Sequence, residues 1–292
     1  MEIIPRIKAQ SEKFESSVVL KRMALFKNGT IILKTDSTWK GLYVWDLKEN
    51  SKISIGPYDC LKKPWALSVG IKKNGYEEIY IHDKARHTVF VFNSNFEVYK
   101  TIGKDLIKSV DYITFDNDVL YCSHTVEDAV RLWDVNTGEK IRNLKIEQPN
   151  HIRLSEREIY ILSRTDCHYP NKKLVKLTKG NYINVLSRSN FEIMHKIQFD
   201  DWLFPHSLHL SNDSNIYTTA HQLDANGFYS KNRFLFVIDS KNHTVKQKVE
   251  LEGIDTFNDA LYLKNKMILC AVNGKGNQIS TIEFEGIYGI YF

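Results

Sequence analysis

The sequence predicts an all-β chain, a six-bladed β-propeller of four-stranded antiparallel blades with its ring closed by the N-terminal strand. Three observations carry this. Short apolar runs bounded by Asn, Gly, Asp and Ser turns follow one another from end to end. One unit recurs: an apolar run, a turn, a run like I-Y-I, a polar loop, a run like V-F-V-F, a tight turn and a final alternating strand. Aligning the middle of the second strand in each copy gives Ile32, Tyr80, Tyr121, Tyr160, Tyr217 and Ile268, at intervals of 48, 41, 39, 57 and 51 residues. Four short strands in roughly 40–50 residues is the size of one blade, and radial repetition removes long exposed sheet edges.

The copies run in order. LFKNGTIILKTDSTWKGLYVWDLKENSKISIG comes first, and PWALSVGIKKNGYEEIYIHDKARHTVFVFNSNFEVYKTIG (64–103) is the clearest. VDYITFDNDVLYCSHTVEDAVRLWDVNTGEKIRNLKI follows, then PNHIRLSEREIYILS with NYINVLSRSNFEIMHKIQF. PHSLHLSNDSNIYTTA leads to RFLFVIDSKNHTVKQKVEL, and NDALYLKNKMILCAVNGKGNQISTIEFEGIYGIYF is last. Six copies make residues 1–292 one propeller domain, leaving 1–17 as either a closing strand or a loose N-terminal arm.

Composition agrees. Aromatics are 12% of the chain, with Tyr and Phe at 15 each, and such side chains suit a pleated surface. Forty basic residues against 35 acidic give a net charge of +5, which permits an acidic or nucleic-acid partner without demanding one. Cys60, Cys122, Cys167 and Cys270 are far apart and form no C-x-x-C pair, so all four read as reduced thiols of a cytoplasmic, reducing compartment. The start, MEIIPRIKAQSEKF, lacks the apolar core of a signal peptide, and no run approaches a membrane span, so no membrane insertion is expected.

IYIHDKARHTVFVF followed by NFEVYKTIG resembles an NHL repeat, and the whole chain resembles NHL-type six-bladed propellers. VRLWDVNTGEKIR (130–142) is similar instead to the end of a WD repeat, although no blade carries the Gly-His that accompanies it. The resemblance implies fold more than function.

In such a ring the first strand of each blade lines the channel, and the loops leading into it share a face with the loops between second and third strands. Aligning KPW, QPN and FPH puts Arg22, Trp65, Asp111, Asn150, His206 and Asp259 at the channel mouth. Calcium-dependent lactonases of the gluconolactonase and paraoxonase type are also six-bladed, and hold their cation with oxygens at this register. Resemblance to them would make Asp111, Asn150 and Asp259 calcium ligands of a hydrolase. Arg22 stands where those enzymes place a Glu, and His151 and Ala260 replace their glycines, which argues against that reading. The alternative is that Arg22 pairs with Asp111 or Asp259 across the channel.

His82, His124 and His221 follow their second strands at related positions, which reads as a repeated structural role. No G-x-S-x-G, P-loop or G-x-G-x-x-G motif occurs. Two loops on the channel-mouth face are long: 164–181 in the fourth blade and 221–233 in the fifth. With the loops around them they offer Trp39, Trp65, Arg86, Tyr169, Lys172, Lys173, Trp202, Phe204, His206, Phe228, Tyr229 and Arg233 as a binding face. Aromatics among cations suit a protein or peptide, because Trp, Tyr and Arg dominate interface energetics. They also suit RNA, whose bases stack on rings and whose phosphates meet Lys and Arg. Some NHL propellers of tripartite-motif ubiquitin ligases bind RNA on this face, and the resemblance extends that possibility here. The expectation is a non-enzymatic platform for a protein or peptide without a cofactor; RNA binding and the lactonase are the alternatives.

Overall fold

The apolar runs form strands because β-branched and aromatic side chains pack well on pleated surfaces and the turn residues between them stop each run. The computed structural model describes residues 6–8, 10–13, 20–26, 30–35, 40–46, 48–49, 51–164, 181–200, 202–211, 214–224, 229–252, 256–263, 266–273 and 276–283. Side chains are described for 22–26, 30, 40–46, 48–49, 51, 53–164, 181–200, 202–211, 214–224, 230–252, 259 and 260.

Two short strands come first, β1 (Arg6–Lys8) and β2 (Gln10–Lys13). The first blade is β3 (Leu20–Phe26), β4 (Thr30–Thr35), β5 (Leu42–Asp46) and β6 (Ser51–Ile55). The second is β7 (Pro64–Ile71), β8 (Glu77–Asp83), β9 (Thr88–Phe92) and β10 (Val98–Ile102). The third is β11 (Tyr112–Asp116), β12 (Val119–His124), β13 (Ala129–Asp134) and β14 (Lys140–Lys145). The fourth is β15 (Pro149–Leu154), β16 (Glu158–Ser163), β17 (Tyr182–Ser187) and β18 (Ile193–Gln198). The fifth is β19 (Leu203–Leu210), β20 (Asn215–Leu223), β21 (Tyr229–Asp239) and β22 (Val245–Glu252). The sixth is β23 (Thr256–Leu263), β24 (Lys266–Asn273) and β25 (Gly276–Glu283).

Every blade is an antiparallel meander in chain order. The sixth takes its outer strand from the other end of the chain: β2 pairs antiparallel with β25, from Gln10 opposite Thr281 to Lys13 opposite Gln278. Residues 6–8 are also placed, as β1 parallel to β22 on the outer edge of the fifth blade. The first strands β3, β7, β11, β15, β19 and β23 neighbour one another in that cyclic order, with β23 beside β3.

The core lies between blades. Ile79 and Ile81 of β8 pack against Ala24, Phe26 and Leu42 of the first blade. Tyr80, between them in sequence, faces the third blade with Ile113, Phe115 and Trp133. A strand buried on both faces reads as continuous apolar sequence, whereas an outer strand such as β14 is exposed along most of its length and buries only Leu144. One glycine fits this packing by necessity. A Cβ on Gly70 would lie 2.1 Å from the Phe115 ring, which stacks on Tyr80 at 5.0 Å between centroids.

Candidate functional site: the channel mouth

The first strands share a kink where they begin. In β3, β7, β19 and β23 one residue has no partner in the ladder: Lys21, Trp65, His206 and Asn258. In β15, Asn150 and His151 together span the place of one partner. Such β-bulges re-aim side chains at a rim. They also correct the sequence alignment, because Lys21 and Asn258 are the equivalents of Trp65 and His206. Arg22 and Asp259 therefore lie one position further along their strands.

Asp259 is 1% exposed. Its two oxygens accept the backbone N–H groups of Met23 at 3.0 Å and Ala260 at 2.9 Å. Burial raises its carboxyl above the ordinary carboxylate value, against the opposing pull of Arg22 and Arg153. His151 Nδ1 lies 4.0 Å from the Asp259 carboxylate, and the His151 ring stacks on Tyr112 at 4.3 Å. The Tyr112 ring is flanked by the guanidiniums of Arg153 at 5.0 Å and Arg22 at 5.6 Å, and Arg153 also donates to the Tyr112 hydroxyl. Arg22 Nη2 donates to the Asp111 carbonyl at 3.1 Å. The Asp111 carboxylate sits 3.6 Å from the Lys84 ammonium, which lies 3.7 Å over the Trp65 ring. Burial first, then the charges of Arg22, Arg153, His206 and Arg164, hold the His151 imidazole well below its ordinary value.

These residues do not fit the calcium site considered from sequence. A hard cation takes about six to eight oxygens. Here Asp111 faces an ammonium, both Asp259 oxygens hold backbone amides, and guanidiniums occupy the space between. No group of three His, Cys, Asp or Glu side chains suited to a metal is found among the described residues. Arg22 does reach Asp111, through the backbone carbonyl rather than the carboxylate.

On the fourth and fifth blades Trp202 is 52% exposed. It borders a groove shared with Phe199, Asp200, Leu203, Gln222 and Lys248. Trp65, Arg86 and His206 are partly exposed at the mouth. Two expected contact residues are corrected. Phe204 is 2% exposed, because β19 already begins at Leu203 and turns that ring inward, where the Arg164 guanidinium covers it at 5.2 Å. Arg233 is 5% exposed and turns back onto the Ser230 and Asn232 carbonyls. Trp39, Tyr169, Lys172, Lys173 and Phe228 lie outside the described residues, as does the Tyr229 side chain. Sequence reasoning missed Tyr112, His151, Arg153 and Arg164. The one signal was local: His151 and Arg153 alternate along HIRL, the spacing that places two side chains on one face of a strand.

His82, His124 and His221 are completely buried, as their repeated position suggested. His82 Nε2 bonds the Ile107 carbonyl at 2.8 Å. Next to it, Asp83 accepts four backbone N–H groups: Lys62 at 2.6 Å and Lys63 at 2.7 Å on one oxygen, Ala85 at 2.9 Å and Arg86 at 3.0 Å on the other. Cys60 and Cys122 are free thiols. No helix of the described residues is long and apolar enough to cross a membrane.

No protein-family model matches the chain, and no curated protein sequence does. Solved structures resemble it. A chain of Kuenenia stuttgartiensis hydrazine synthase superposes with a TM-score of 0.58 at 17% identity, over 79% of this chain and 66% of that one. This chain therefore spans just under two thirds of that relative. A protein of unknown function from Bacteroides caccae superposes with a TM-score of 0.56 at 14% identity, over 82% and 84% of the two chains. At such identities the likeness speaks for the fold, and with the six antiparallel blades it makes this chain an all-β protein of propeller type.

Proposed function

We propose that the chain is a non-enzymatic binding platform whose channel-mouth face takes an extended peptide or a protein loop across the fourth and fifth blades. One observation carries the reading. Trp202 stands half out of the surface beside a groove whose rim offers both charges, on Asp200 and Lys248, and an amide on Gln222. A large apolar ring over a groove with mixed polar rims is the composition of an interface anchor. A peptide backbone can use the amide and the two charges while an apolar side chain packs against the indole. The free thiols Cys60 and Cys122 accord with work in a reducing, cytoplasmic compartment.

The test is selection from a randomised peptide library on the full chain, followed by binding measurements with a Trp202→Ala variant. Peptides that bind the native chain should lose about tenfold or more in affinity, about 1.4 kcal/mol, when the indole is removed. Selected peptides that bind Trp202→Ala equally would overturn the reading. So would a chain that ignores the library and retains only a random RNA pool.

A further inference from the structure

Two of the guanidiniums at the channel mouth, those of Arg153 and Arg164, form no ion pair with an acidic group among the described residues. Arg153 donates to the Tyr112 hydroxyl and the Ile152 carbonyl, both uncharged acceptors. Arg164 bears on the Phe204 ring, and its Nε has no hydrogen-bond partner among the described residues. Arg164 is held beside the start of β15, its backbone N–H donating to the Gln148 carbonyl at 3.0 Å, and both guanidiniums, with Arg22, act on the same buried imidazole, His151. The carboxylate beside that imidazole, Asp259, is committed to two backbone amides, and Asp111 is committed to Lys84.

A second observation points the same way. Asn150 and His151 share the bulge that opens β15, and they are 1% and 0% exposed. Yet Asn150 Oδ1 and His151 Nε2 have no hydrogen-bond partner among the described residues. Buried polar groups left without partners are costly to keep. Two of them beside two guanidiniums that form no ion pair among the described residues describe a place shaped around a further polar group. Arg is the side chain suited to forked recognition of oxyanions, and its charge cannot be relieved by deprotonation.

We propose that the channel mouth between the third, fourth and fifth blades binds a small dianionic oxyanion, a phosphate or a dicarboxylate, held by the guanidiniums of Arg153 and Arg164 over Asn150 and His151. Among the described residues Asp111 and Asp259 offset two of the four positive charges of Lys84, Arg22, Arg153 and Arg164; the two that remain match a dianion, and monovalent anions should bind more weakly. This site is separate from the Trp202 groove, and neither proposal depends on the other.

The experiment is thermal unfolding and titration calorimetry of the full chain with inorganic phosphate and, separately, succinate, each against sodium chloride at matched ionic strength. Binding to the folded state raises the melting temperature with ligand concentration. One of the two dianions should do so beyond chloride and beyond acetate, and which one does identifies the ligand class. Arg164→Gln should weaken that binding about tenfold or more, the loss expected for one charge-assisted contact. Lys62→Gln, an exposed charge on the same face, should leave it unchanged. Should Arg164→Gln fail to fold, Arg164→Lys keeps the charge, loses the fork and should still bind more weakly than the native chain. No dianion-specific shift in the native chain would overturn the proposal. Equal losses in Arg164→Gln and Lys62→Gln would overturn it too, since they would mean diffuse attraction rather than a site.

Discussion

The second and fifth blades use the same position in opposite ways. In both, a fully buried histidine lies near the end of the second strand, His82 in one and His221 in the other. In the second blade the next residue is Asp83, whose two oxygens gather four backbone amides from two loops. In the fifth blade it is Gln222, which accepts from Asn232 at 2.7 Å and borders the groove beside Trp202. The third blade lies between: Thr125 gives a single bond, from its hydroxyl to the Pro149 carbonyl at 2.6 Å. Where one carboxylate satisfies the loop backbone, the loops are short and tied to each other through it. Where it is absent, longer segments build the rim, and Trp202 stands outward from it. Loops that vary on a common support are where binding residues concentrate in such folds.

The largest expected effect tests the second blade. Asp83→Ala leaves four amides without their acceptor in a buried place, at a cost of at least about 3 kcal/mol, readable as a lower denaturation midpoint with an unchanged slope. Asp83→Asn keeps one good acceptor oxygen and should recover roughly half of that. If Asp83→Ala unfolds no more readily than Gln222→Ala, the contrast between the two blades fails.

Acid should act on the same side next. Burial lowers His82 from 6.5 to about 4, and burial followed by the Arg131 charge lowers His124 from 6.5 to about 4. The folded chain therefore holds both imidazoles neutral while the unfolded chain protonates them below 6.5. Their contribution to stability is complete above pH 6.5 and is lost as pH falls from there toward 4, on the order of 3 kcal/mol per histidine. Melting temperatures measured across that interval should fall steeply, and His82→Gln should flatten the fall. A flat profile in the native chain would remove this account of the buried histidines.

A smaller effect belongs to the seam between blades. Gly70→Ala drives a methyl group into the Phe115 ring and should cost about 1–3 kcal/mol. Pairing it with Phe115→Leu, which opens space, should recover part of the loss if the clash is its cause.

How much of this was legible in the sequence follows the same division. Blade number and strand order were legible because a strand buried on both faces, such as Ile79, Tyr80 and Ile81, leaves an apolar run that repeats at blade intervals. The buried role of His82, His124 and His221 was legible for the same reason. The register at the mouth was not. A bulge adds one residue without changing composition, so Lys21 and Asn258 could not be told from Arg22 and Asp259. Nor could Phe204 be told from Trp202. Both are aromatic and two residues apart, and only the start of β19 at Leu203 decides that one ring goes in while the other stays out. Arg153 and Arg164 sit in different segments and matter through their common neighbour His151, a relation that exists only in three dimensions.

The smallest expected change in stability falls on the fifth blade and sharpens the comparison most. Trp202 is half exposed, and its backbone carbonyl, not its indole, anchors the loop by accepting from Leu223 N–H at 2.7 Å. Trp202→Ala keeps that bond and should move stability by no more than about 0.5 kcal/mol. The same substitution should weaken peptide binding about tenfold or more if the groove is the working surface. Separation of the two readouts is the mark of a residue placed for a partner. A loss of stability near that of Gly70→Ala would instead make the indole part of the packing, and would return the rim of the fifth blade to the same structural role as that of the second.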